Sequence, residues 1–161
     1  MELGIIAIGA TVIALCAIPF IATANNRKKK QKELLNGLNT IATTQQSHLG
    51  IHDFGLEFAI GLSSAKNYVF FYKNLKNGQP ISICIPINTI KNCKILESKH
   101  GAGSKAILQK LELVITFLDK ESTPCTLVFF DTDEHFQPNG ELSLIRQWET
   151  NIKQAMEFYP N

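Results

Sequence analysis

From Leu3 to Ala24 the chain carries no charge, and the cations Arg27, Lys28, Lys29, Lys30 and Lys32 follow almost at once. At about 1.5 Å of rise per residue this stretch reaches roughly 33 Å as a helix, against a hydrocarbon core of roughly 30 Å. No other segment restricts the fold as strongly, because a lone segment in lipid must satisfy its own backbone hydrogen bonds and only a helix does so. Ile5, Ile6, Ile8, Val12, Ile13, Leu15, Ile18, Phe20 and Ile21 supply apolar bulk, and Pro19 falls near the end. The sequence therefore predicts a transmembrane anchor over residues 1–24, with the lipid bilayer as its first partner. The basic run is held on the cytoplasmic side, as the lysine and arginine bias of cytoplasmic flanks requires.

A cleaved secretory signal is the rival reading, since Ala22-Thr23-Ala24 has the small-x-small form of a cleavage site. Met1-Glu2 offers no positive charge, however, and the apolar run exceeds the ~7–15 residues of a signal core. A lipoprotein signal fits less well, because bulky Leu15 precedes Cys16 and no basic region comes before it. Gly4, Ala10, Ala14 and Ala17 offer small side chains for helix pairing, so a homo-oligomer through the transmembrane helix is an open expectation.

The net charge of +2 includes +5 from the run Arg27 to Lys32 and −1 from Glu2, which leaves −2 for the remainder. The basic excess is thus local to the membrane flank, and no nucleic-acid partner is expected. Roughly 115 residues follow the anchor and its linker, enough for one domain with its own core. The expected division is an anchor at 1–24, a basic flank and linker at 25–48, and one domain at 49–161. In the linker, Gly37 and the polar stretch Thr40 to His48 are expected to loosen any helix that continues from the membrane. Cys84, Cys93 and Cys125 are odd in number and widely spaced, which argues against a disulfide framework or a zinc site.

From about residue 53 the pattern turns to strands. Phe54 to Ser63 and Tyr68 to Tyr72 read as a hairpin joined at Ser64 to Asn67, and Ile81, Ile83 and Ile85 alternate with Ser82 and Cys84 between Pro80 and Pro86. Ile90 to Leu96 follows. Leu108 to Leu118 then sets Leu111, Leu113, Ile115 and Phe117 on one face with Glu112 and Thr116 on the other. Pro124 to Phe130 is the sixth readable strand, and a seventh is possible between His48 and Phe58. The chain closes with a helix whose Leu142, Ile145, Trp148, Ile152, Ala155, Met156 and Tyr159 form one apolar stripe up to Pro160. Asn139 stands where a cap is needed, Glu141 suits the first turn, and Trp148 is the largest anchor.

Antiparallel strands followed by one amphipathic helix with a central tryptophan resemble the pleckstrin-homology-like superfold, over about residues 54 to 159. The segments Ala59-Ile60-Gly61-Leu62 and Glu141-Leu142 through Trp148 also resemble bacterial single-pass membrane proteins of uncharacterised activity with a β-rich cytoplasmic domain. The resemblance implies an α+β, mainly β, fold of antiparallel sheets or a partly open barrel capped by the C-terminal helix. It also implies a bacterial inner (plasma) membrane location with the C-terminal domain in the cytoplasm. Members that grip phosphoinositides gather several cations around the first hairpin, whereas here only Lys66 lies there, with Lys73 and Lys76 after the second strand.

No catalytic set stands out. Asp131, Asp133, Glu134 and His135 form the densest polar cluster, and the simplest reading is a solvated acidic loop, so neither a metal site nor a cofactor is expected. His48, His52 and His100 lie apart from any nucleophile motif, and Gly101 to Lys105 lacks the spacing of a phosphate loop. Tyr68, Phe70, Phe71 and Tyr72 read as core. The function expected is a membrane-anchored, non-catalytic binding or scaffolding module that recognises a protein or peptide partner through exposed loops and sheet edges. The alternative is sensing of anionic lipid, with Lys66, Lys73 and Lys76 beside the basic flank as contacts.

Overall fold

The computed structural model describes residues 25–101 and 106–159, so the anchor expected over Leu3 to Ala24, and Ala102 to Lys105 of the glycine-containing loop, lie outside the described residues. No helix among the described residues is long and apolar enough to cross a membrane. The chain divides into two compact units, Met1–Glu33 and Leu34–Asn161. In the first unit, residues 25–33 are helical.

The second unit is an α+β fold, mainly sheet. Helix α1 (residues 34–44) comes first, followed by β1 (Leu49–Phe54), β2 (Phe58–Ser63), β3 (Tyr68–Lys73) and β4 (Ile81–Pro86). A single 3-10 turn, Ile87–Thr89, leads to β5 (Ile90–His100), β6 (Ile107–Phe117), β7 (Cys125–Asp131) and helix α2 (Glu141–Glu157). The strands form two antiparallel sheets in plain sequence order, β1-β2-β3-β4 and β5-β6-β7. Such a meander needs only short connections, which the turn residues supply. The seventh strand is β1. The strand expected from Phe54 to Ser63 is shorter, Phe58–Ser63, because Phe54 ends β1 and Gly55 N–H donates to the Phe58 carbonyl where the chain reverses.

The main core lies between the sheets and α2. Phe58, Ile60 and Leu62 of β2, Val69 and Phe71 of β3, Leu111, Leu113 and Ile115 of β6 and Leu127 of β7 meet Ile145, Trp148, Ile152 and Ala155. The alternation read in β6 is the reason, since period two sends every second side chain inward. Trp148 is fully buried, as its central place in the stripe suggests.

A second core sits on the opposite face of the first sheet, where Leu34, Leu38 and Ala42 of α1 pack against Ala59 and Phe70. Two consecutive phenylalanines, Phe70 and Phe71, therefore serve different cores, and every residue of β2 is buried. The linker expected after Gly37 is replaced by helix up to Thr44. An interior glycine costs about 1 kcal/mol in a helix, whereas burying a leucine stabilises by about 1.5–3 kcal/mol, and Leu34 and Leu38 are both fully buried. Gly37 is a point of close approach, for a Cβ there would lie 2.5 Å from the Tyr72 ring.

The threonines do not break α1, because the hydroxyls of Thr40, Thr43 and Thr44 donate to the carbonyls of Asn36, Asn39 and Thr40 at 2.8, 2.8 and 2.9 Å. The helix ends in a Schellman arrangement. Ser47 N–H bonds the Ala42 carbonyl and Gln46 N–H that of Thr43, with Gln46 left-handed at φ 51°. At the start of α2 the cap is Gly140, at φ 95°, and the Asn139 side chain makes no capping bond. The buried Glu141 carboxylate instead accepts a hydrogen bond from the Asn139 N–H, which ties the incoming chain to the first turn, and the helix starts without a side-chain cap.

Candidate functional site

The acidic loop after β7 is a structural knot. Glu134 pairs with Lys73 at 2.7 Å, and Lys73 is itself buried at the end of β3. Lys76 Nζ donates to the Glu134 carbonyl at 2.8 Å, which fixes the β3–β4 turn to the same loop. Asp131 accepts the Asp133 N–H at 3.0 Å and lies 3.7 Å from Lys110. His135 Nε2 stands 4.0 Å from a Glu57 carboxylate oxygen. Glu134 is therefore spent on tertiary contacts, His135 Nε2 is buried without a hydrogen-bond partner, and among the described residues no group of three or more His, Cys, Asp or Glu side chains could hold a metal ion.

Lys66, Lys73 and Lys76 are not brought together as a headgroup cradle. Lys66, left-handed at φ 55° in the β2–β3 turn, holds its ammonium 4.8 Å from the centre of the Phe158 ring. In the same turn the Ala65 carbonyl accepts the Tyr159 hydroxyl at 2.9 Å, so the hairpin is tied to the end of α2. Lys73 and Lys76 meet at Glu134, beyond the other end of β3. Convergence on a phosphate needs several cations aimed at one point, and these three have other partners. Arg27, Lys28, Lys29 and Lys32 are exposed on the helical residues 25–33 of the first unit, and Lys30 is half-buried.

The described thiols are quiet. Burial first, then the nearby Glu149 carboxylate, pushes the Cys93 thiol up to about 12, with Lys153 opposing. Burial also raises Cys84 and Cys125. A thiol held protonated is a poor nucleophile and a poor metal ligand.

What sequence reading missed is the outer face of the second sheet. Lys94 lies opposite Val114, Leu96 opposite Glu112 and Asn92 opposite Thr116, so these side chains share the face turned away from the core. A cleft of about 700 Å³ opens on it, with Leu96, Val114 and Pro124 as its apolar floor and Lys91, Lys94 and Lys120 at its rim, and its lining extends to Ile95 and Phe117, which also pack against the core. Leu96 is 50% exposed there, and no described element covers it. The alternation of Glu112 and Thr116 with the apolar residues of β6 marks this as an outer face. Only the β6–β7 turn, however, brings Lys120 to the lysines of β5.

Asp119 borders the same cleft, but its carboxylate is engaged. It accepts the Glu121 N–H at 3.1 Å and the Ser122 hydroxyl at 2.8 Å, and these bonds hold its pKa below the usual aspartate value. Across the comparisons, no family model, no curated protein and no solved structure matches this chain.

Proposed function

We propose that this chain is a membrane-held, non-catalytic binding module of pleckstrin-homology-like architecture that presents its β-domain to a protein or peptide partner. In this reading residues 1–24 anchor it in a bacterial plasma membrane, the run Arg27 to Lys32 stays on the cytoplasmic side, and the domain works there. Four antiparallel strands, then three, then one helix carrying a buried tryptophan support the architecture.

The observation that carries the binding role is the asymmetry of the two sheets. The outer face of β1–β4 is covered by α1, through Leu34, Leu38 and Ala42, whereas the outer face of β5–β7 has no described element over it and exposes Leu96 beside a cleft. Exposed apolar side chains rimmed by polar ones are the usual composition of a contact surface. Lipid sensing through Lys66, Lys73 and Lys76 is the weaker reading, because each of those ammonium groups already has a partner.

Crosslinking of the full-length chain in its native membrane, followed by identification of what is attached, tests the proposal. A reproducible protein partner is expected. Crosslinks to lipid alone would overturn it.

A further inference from the structure

The described lysines of the second unit fall into two groups. Lys73, Lys99, Lys110 and Lys153 pair with carboxylates, Lys66 lies over an aromatic ring and Lys76 bonds a carbonyl. Lys91, Lys94 and Lys120 make no ion pair or hydrogen bond through their side chains among the described residues, and all three rim the cleft on the second sheet. The neighbouring Asp119 does not neutralise them by contact, since both of its oxygens are held within its own turn.

We propose that this cleft takes an extended segment of a protein partner in which acidic and aliphatic side chains alternate. The inference rests on the binding-module reading and names its ligand. Alternation at period two sends successive side chains to opposite sides of an extended chain. Aliphatic groups then reach the floor at Leu96, Val114 and Pro124 while carboxylates turn to the ammonium rim. Burying the floor supplies the attraction, and the three cations choose the charge and speed the encounter. A bilayer fits less well, because its headgroup plane cannot enter a concave cleft whose apolar surface is the floor.

The test uses the full chain in nanodiscs of zwitterionic phosphatidylcholine and a fluorescein-labelled peptide of alternating glutamate and leucine, read by anisotropy. The expected result is saturable binding that weakens at least tenfold in three circumstances: with glutamine in place of glutamate in the peptide, in high salt, and in the triple variant Lys91→Glu, Lys94→Glu, Lys120→Glu. Lys153→Glu, the same charge change on α2, is expected to bind as the wild type does. Trp148 fluorescence and circular dichroism check that each variant is folded. The proposal is overturned if the wild type does not bind the peptide, if the glutamine peptide binds as well, or if the triple variant is unaffected. It is equally overturned if the three lysines govern binding to anionic phosphatidylglycerol vesicles and not to the peptide. Should the triple variant keep the protein crosslinks seen in native membranes, the cleft assignment falls and the binding-module reading stands. Should the wild type yield no protein crosslink at all, that underlying reading falls.

Discussion

The indole Nε1–H of Trp148 donates a 3.0 Å hydrogen bond to Oδ2 of Asp53, a residue 95 positions earlier in the chain. The bond joins the edge strand β1 to the centre of α2, and Gln147 reaches the same oxygen at 3.3 Å. A buried indole N–H without an acceptor costs about 1–3 kcal/mol, so Asp53→Ala is expected to lower stability by about that amount. Trp148→Phe in the Asp53→Ala background should cost less than in the wild type, because the orphaned donor is then gone. Chemical denaturation of the four chains of this double-mutant cycle measures the coupling, and additive losses would mean that the bond contributes nothing.

Gly37 separates two accounts of α1 by sign. In an exposed helix or a loose linker, Gly37→Ala should stabilise by about 1 kcal/mol through propensity alone. With the Tyr72 ring 2.5 Å from the added methyl, the neighbour must shift, and overpacking of that kind costs about 1–3 kcal/mol. We expect a lowered melting temperature. An increase would detach α1 from the sheet.

The left-handed Gln46 predicts the opposite outcome. A non-glycine residue there carries about 1–2 kcal/mol of local strain, so Gln46→Gly should raise stability by up to about 1 kcal/mol after the entropy of the unfolded glycine is set against it. Thermal unfolding reads the effect directly.

The pair formed by Lys73 and Glu134 predicts an inequality. Glu134→Gln leaves a buried ammonium without its carboxylate, and the loss should exceed that of Asp133→Asn, whose residue is exposed. Because Glu134 is partly open to solvent, the cost should fall below the about 3–5 kcal/mol of a fully buried broken pair. Lys73→Met in the Glu134→Gln background should restore much of it, as measured by urea midpoints.

Cys93 predicts a pH dependence at the alkaline end. Its folded value of about 12 stands above the ordinary 9.0, so between these limits the folded state holds a proton that the unfolded state has released. Stability from this group is complete below pH 9 and falls as pH rises towards 12, by at most about 1.4 kcal/mol per unit. Cys93→Ala should flatten that alkaline limb of the stability profile, despite its own loss of packing. Iodoacetamide at pH 8 should leave Cys93 unmodified in the folded chain and alkylate it in urea.

What was legible in the sequence is what repeats along it. The alternation of Leu111, Leu113 and Ile115 and the helical stripe through Ile145, Trp148 and Ile152 each state a period and a buried face, and the structure buries those faces. The acid at Glu141 was readable for its place in the first turn, though not for its bond back to Asn139. Local propensity also argued for loosening at Gly37 and for solvent around Glu134, and both inferences fail for one reason. A glycine is a helix breaker or a packing surface depending on whether an aromatic ring lies over it, and a carboxylate is solvated or paired depending on whether a lysine is delivered to it.

Those partners are set by the register of strands distant in sequence: Tyr72 of β3 over Gly37, Lys73 beside Glu134, and the β6–β7 turn carrying Lys120 to Lys91 and Lys94. The sequence by itself determined the uncharged stretch with its basic flank, the strand succession and the tryptophan helix, because charge and periodicity are properties of neighbours along a chain. Only the tertiary structure decided which lysines are spent and which remain unpaired, because pairing depends on distances that long-range contacts alone set.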